Sequence, residues 1–237
     1  MKKYLKRFFI GVGVLLLVIF INGLRMYYQV EKEVALPEER PASRLYPKNF
    51  SKEAFDSLKN AFGANKILPP NYELQALLAL SHYPTLKEVP VTFIVEETLI
   101  PLASRPHFWK MFRSKERWEY QVIISAKSSE AMEPILLKNL SFNSQVGILG
   151  HELAHTLYYQ DKSFWDVVGI GTCYLLSDYR ATFEKQTDQR AIAHGLGRHL
   201  LQYAKEVRSG EMEGNTEYID QYYLTPDEIE KLLNNPN

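Results

Sequence analysis

Phe8 to Leu24 reads FFIGVGVLLLVIFINGL and contains no charged residue, which excludes any fold that leaves this segment in water. As a helix it spans about 25 Å, slightly less than the roughly 30 Å hydrocarbon core of a bilayer. Met26, Tyr27 and Tyr28 extend it if Arg25 reaches to the headgroups, and the two tyrosines then sit at interfacial level. Lys2, Lys3, Lys6 and Arg7 precede the run and predict a cytoplasmic N-terminus. A cleaved signal sequence calls for a small-x-small site, and Asn22 and Gly23 are the only small or polar breaks near the end of the run. No cysteine follows directly to accept a lipid. The expected organisation is a cytoplasmic tail (1–7), a transmembrane anchor (8–28), a linker containing Pro37, Pro41 and Pro47 (29–48), and one domain (49–237) in a periplasm or extracellular space.

Composition narrows the rest. With 46% hydrophobic and 24% charged residues the chain is globular rather than disordered or low-complexity. Cys173 is the only cysteine, which excludes an internal disulfide and a cysteine-based metal cluster. The net charge is zero, yet the first 25 residues hold five bases and no acid. The remainder is mildly acidic and offers no footprint for nucleic acid.

Along the domain, Ser51 is placed to cap a helix ending at Gly63, with Phe50 and Phe55 as its hydrophobic staple. Asn71 is expected to cap a second helix that Pro84 stops. Pro90–Glu97 and Trp118–Ser125 read as strands, and the latter puts Trp118, Tyr120, Val122 and Ile124 on one face. The basic and aromatic run RPHFWKMFRSKER between them reads as a hairpin loop, or as a patch for a membrane surface. Ile135–Phe142 is expected to be a short edge strand. Helices follow over about Ser144–Tyr159, Asp178–His194 and Leu196–Val207, and Thr225-Pro226-Asp227-Glu228 opens a last one with a capping box.

Residues 150–156 read GHELAHT, so His151, Glu152 and His155 fit H-E-x-x-H within a helix. Residues four apart lie one above the other, and both imidazoles can reach one metal ion. Glu152, about 100° round the helix, can reach a water on that ion without being a ligand. A hydrolytic zinc site needs a third protein ligand and an open position. The helix around SDYRATFEKQTDQRAIAHG aligns Ala181, Glu184, Asp188 and Ala191 on one stripe, while Arg180, Lys185, Gln189 and Arg190 lie on other faces. Two carboxylates among small residues are costly to bury unless a cation or strong donors meet them. Glu184 is therefore the candidate third ligand, with Asp188 hydrogen-bonding a ligand histidine. His194, His199, Tyr218, Tyr222 and Tyr223 are candidates to stabilise a transition state. His82 reads as a packed or capping residue, His107 as a solvent-facing one, and Cys173 as a small buried hydrophobe.

GHELAH at 150–155 and FEKQTDQRA at 183–191 resemble the gluzincin-type zinc metallopeptidases. They are similar to the catalytic domain of the membrane metallopeptidases of CAAX-prenyl-protease and heat-shock type, and of their small single-domain relatives. The resemblance implies an α+β, zincin-like fold with a small mixed sheet, an active-site helix and a glutamate helix. It implies one Zn2+ per chain on His151, His155 and Glu184, with Glu152 as general base and Asp188 behind a histidine. Thr187 stands where those proteins usually have alanine, and a single N-terminal span replaces their several membrane helices.

The expected function is peptide-bond hydrolysis on a peptide or protein substrate, with Ile135–Leu140 holding an extended chain by strand addition. The alternative is a membrane-tethered binding or scaffold domain whose zinc is structural or degenerate; it requires a closed site with a fourth protein ligand.

Overall fold

The computed structural model describes residues 2–30, 41–209 and 216–234. Helix α1 (Lys2–Val30) is unbroken, and it is long and apolar enough to cross a membrane. Its first half stands clear of the body, whereas Met26 and Val30 are buried in the core. The helix runs two residues beyond the expected anchor, so Gln29 and Val30 are helical rather than linker. Pro37 lies outside the described residues. Residues 41–50 follow the body in an extended path, held where the Asn143 side chain accepts from Tyr46 N at 2.8 Å and donates to Tyr46 O at 3.0 Å.

Helix α2 (Lys52–Phe62) starts as its sequence dictates: Ser51 Oγ accepts from Ala54 N, and Gly63 N closes the last turn on Lys59 O. Helix α3 (Glu73–Ser81) starts later than expected. Tyr72 occupies its cap position, so Asn71 does not cap it. Five consecutive residues, Ala76–Leu80, are buried because α3 is covered on both sides.

The sheet has four strands, β1 (Lys66–Ile67), β2 (Val91–Glu96), β3 (Leu102–Pro106) and β4 (Tyr120–Ser125), in the order β1-β2-β4-β3. β2 and β4 are parallel, with Phe93 opposite Val122, and are not the two arms of a hairpin. The hairpin is β3–β4, with Ser104 opposite Val122. β3 reads LASRP, which has almost no β-branched or aromatic signal, and its proline is tolerated because the strand lies at the sheet edge. The basic and aromatic run forms two 3₁₀ turns, Phe108–Phe112 and Lys115–Arg117. His107, expected in solvent, is half-buried at their start. The expected strand over Ile135–Phe142 is also absent: Glu133–Ile135 and Leu137–Asn139 are 3₁₀ turns. Ile135, Leu136 and Leu137 are all buried, which winding turns achieve and an alternating edge strand cannot.

Helix α4 (Phe142–Tyr159) is the centre of the molecule, buried over most of its circumference. It packs on β3, on α3, on α6 (Ser177–Ala191) and on α7 (Gly197–Glu206). The α4–α7 approach depends on Gly147, where a Cβ would lie 2.7 Å from the His199 carbonyl. Between α6 and α7 the chain turns at Gly195, φ 86°, a conformation that glycine accepts freely. Helix α5 (Phe164–Cys173) packs along α1, and α8 (Thr216–Tyr222) and α9 (Pro226–Asn234) cover α6 and α7. The Thr225–Glu228 capping box forms as expected. The protein is thus α+β, with a small mixed sheet on one side of α4 and helices on the others.

Candidate metal centre

Helix α4 turns Val146, Leu149 and Leu153 into the core, and the same packing fixes His151 and His155 one turn apart. Their ring centroids are 4.8 Å apart. Helix α6 crosses them and brings Glu184 Oε2 to 3.0 Å from His151 Nε2 and 3.2 Å from His155 Nε2. One ligand atom from each of His151, His155 and Glu184 falls within 4.8 Å of the others, all three side chains being buried. This is the trio that helical spacing singled out.

Each imidazole is oriented from behind. Asp188 Oδ1 lies 2.8 Å from His151 Nδ1, and Asp188 Oδ2 accepts the Leu224 N–H at 2.9 Å. Thr187 Oγ1 lies 3.3 Å from His155 Nδ1 while donating to Phe183 O. Both Nδ1 atoms are so engaged that both Nε2 atoms face Glu184, the tautomer arrangement that metal-binding histidines need. Glu184 is itself held by Tyr174, whose hydroxyl donates to Oε1 at 2.6 Å. Thr187 and Tyr174 were not foreseen as supports. Thr187 differs from Glu184 by three positions, so helical spacing alone could have found it, whereas Tyr174 comes from the end of α5 and has no local signal.

The charges fit this arrangement. Burial pushes the Glu184 carboxyl up, but His155 and the hydrogen bonds from both imidazoles outweigh it and hold the carboxyl well below the usual range. Burial opposes a charged His151, yet Asp188 and Glu184 hold its pKa well above that of a free imidazole. Glu152 goes the other way. Burial raises its pKa, and the neighbouring histidines only partly offset this. Its Oε2 atom is buried with no hydrogen-bond partner. A buried, unpartnered carboxylate oxygen beside two imidazoles and a third, paired carboxylate is costly unless a further group completes the set. Two imidazole nitrogens and one carboxylate oxygen form a donor set that could hold a metal ion.

Two cavities meet at this point. One, of about 340 Å³, is walled by Ile100, Met132, Ile135, Ile148 and Tyr203. The other, of about 380 Å³, is walled by Ser104, Arg105, His155, Ile170, Tyr174 and Glu184. Ile100, Leu102, Glu152 and Tyr223 line both. Of the candidate transition-state residues, Tyr223 is the one at the centre, its ring 5.7 Å from that of His151. Tyr218 lines the apolar cavity and Tyr222 stacks under Arg180. His194 and His199 are placed elsewhere. His194 bonds Arg190 O and packs on Tyr83. His199 is buried against Tyr46 and His82, because α7 presents it to the far side of α4.

No family model, curated protein or solved structure matches this chain. The functional reading therefore stands on the residues and their geometry.

Proposed function

We propose that the protein is a membrane-anchored, zinc-dependent peptidase. The observation that supports this most directly is Glu152, a buried carboxylate with an unpartnered oxygen beside the His151–His155–Glu184 trio, at the junction of two cavities. His151, His155 and Glu184 would hold one zinc ion. When bound, zinc lowers the pKa of a coordinated water and polarises a carbonyl oxygen.

The chain's own residues supply the rest. Glu152, buried beside the trio, would take the water's proton and deliver it to the leaving amine. Tyr223, which lines both cavities beside His151, would donate to the carbonyl oxygen as charge builds on it. The substrate backbone is held by β3, the edge strand lining both cavities, and not by Ile135–Leu140 as the sequence suggested. Ser104 Oγ, 2.8 Å from Thr156 Oγ1, ties β3 to the α4 helix that carries Glu152. The basic N-terminal flank of α1 sets the N-terminus in the cytoplasm and the body outside.

The rival, a scaffold with a structural zinc, requires a fourth protein ligand. Among the described residues the group has three members. The test is zinc per chain and peptide turnover for the wild type, Glu184→Ala and Glu152→Gln. The expected result is one zinc in the wild type, its loss in Glu184→Ala, and retained zinc without turnover in Glu152→Gln. Full turnover by Glu152→Gln would end the general-base assignment, and absence of zinc from the wild type would end the metallopeptidase reading.

A further inference from the structure

Helix α5 is too short to cross a bilayer, and it packs against the C-terminal half of α1. Arg25 pairs with Asp166 at 3.2 Å, a Cβ on Gly169 would meet Asn22 O at 2.8 Å, and Cys173 Sγ donates to Gly23 O at 3.0 Å. One step further, Leu176 shares a groove with Phe20, Gly23, Leu24 and Tyr27. From Asp166 to Leu176, α5 thus meets α1 within residues 20–27, the last turns of the apolar run and the residues just past it. Helix α6 then follows α1 toward its C-terminus, with Tyr179 stacked on Tyr27 at 6.2 Å and Gln186 bonded to Val30 O. The α5–α6 turn forms a tip beside the last turns of the apolar run of α1.

That tip has the surface of a membrane-inserted element. Leu175 is 85% and Leu176 52% exposed. The turn closes the end of α5 on itself, with Tyr174 N bonded to Ile170 O, Leu175 N to Thr172 O and Leu176 N to Cys173 O, whereas α6 starts at Leu176 without a side-chain cap, so its first N–H groups call for headgroups or water. Asp178 is exposed two residues later and limits the depth to a shallow one. At the other end of α5, near the Arg25–Asp166 pair, Phe112 packs on Phe164 at 5.2 Å, and Phe108, Trp109 and Trp165 are exposed beside them. Aromatic side chains concentrate at membrane interfaces.

We propose that the α5–α6 tip is a second, shallow membrane-inserted element, with Leu175 and Leu176 in the acyl region and Phe108, Trp109, Phe112 and Trp165 at the interface of the leaflet from which α1 emerges. The inference rests on α1 spanning the membrane; it does not depend on the peptidase reading. Its consequence is positional. Glu184 lies eight residues past Leu176, about 12 Å up α6 by helical rise, and Tyr174 reaches it directly from the tip. The metal centre therefore sits at the bilayer surface, and the cleft beside it opens toward polypeptide lying along or emerging from the lipid.

The test uses the full chain in phosphatidylcholine vesicles whose acyl chains carry bromine near the headgroup, with one tryptophan at a time. Leu16→Trp reports on α1, Leu175→Trp on the tip, native Trp109 and Trp165 on the interface, and Trp118, buried in the body, serves as the reference. The expected result is loss of most emission for Leu16→Trp (with deeper bromines) and Leu175→Trp, partial loss for Trp109 and Trp165, and none for Trp118. Quenching of Leu16→Trp with unquenched Leu175→Trp would overturn the inserted tip and leave the anchor intact. Absence of quenching at Leu16→Trp as well would overturn the anchor and the tip together.

Discussion

Asp188 holds His151 from behind with one oxygen and the chain after α8 with the other: Oδ1 meets His151 Nδ1 at 2.8 Å, while Oδ2 accepts the Leu224 N–H at 2.9 Å. The carboxylate is thus shared between a candidate ligand and the turn that leads into α9. Asp188→Asn keeps the shape but leaves an amide that can accept only through one atom. We expect metal affinity to fall roughly 10- to 100-fold while the fold persists. Chelator competition measures the first, and unchanged far-ultraviolet circular dichroism the second. Unaltered affinity would show that His151 is oriented by packing alone.

Tyr174→Phe tests the other support. Its hydroxyl holds Glu184 Oε1, and removing it leaves that oxygen without a buried donor. A lost hydrogen bond to a charged group is worth about 1.5–3 kcal/mol, so zinc affinity is expected to fall by about one order of magnitude or more. The same competition assay reads it, and a variant indistinguishable from the wild type would remove Tyr174 from the centre's architecture.

Much of this centre was legible because helices translate spacing into direction. His151, His155, Glu184 and Asp188 each follow from a three- or four-residue interval within one helix, and the Ser51 and Thr225 caps follow from equally local rules. What escaped came from contacts between elements. β3 has no strand propensity and exists because β4 offers it an edge. Ile135–Leu140 reads as a strand by composition but turns inward to bury three residues in succession. Tyr174 and Tyr223 reach the centre from the ends of α5 and α8, which no periodicity in α4 or α6 announces. His194 and His199 share a region with the ligands in sequence, yet α7 turns His199 to the opposite face of α4.

Gly147 is required by proximity. A Cβ there would lie 2.7 Å from the carbonyl carbon and oxygen of His199, both backbone atoms that yield only if α7 moves. Gly147→Ala is expected to destabilise the fold by about 1–3 kcal/mol despite the better helix propensity of alanine. Denaturant unfolding of the solubilised protein measures this, and a stability gain would mean that the α4–α7 contact relaxes freely.

His199 gives the fold a pH dependence on the far side of α4. Burial, and then the nearby His82, bring its pKa down from 6.5 to about 4. The groups facing the ring are Tyr46 and His82, whose own pKa burial also lowers. The unfolded chain takes up a proton at His199 near pH 6.5, whereas the folded protein refuses it until about pH 4. Across that interval the unfolded state binds more protons, so stability falls as pH falls, by about 3 kcal/mol in total for this one residue. Above pH 6.5 the residue contributes no slope, and below about 4 the loss is complete. Other groups titrate over the same range, so the informative quantity is a difference. His199→Leu is expected to lose less stability than the wild type between pH 7 and pH 4.5, measured by denaturant midpoints at matched zinc. Parallel pH profiles for the two proteins would show that His199 is protonated in the folded state as readily as in the unfolded one.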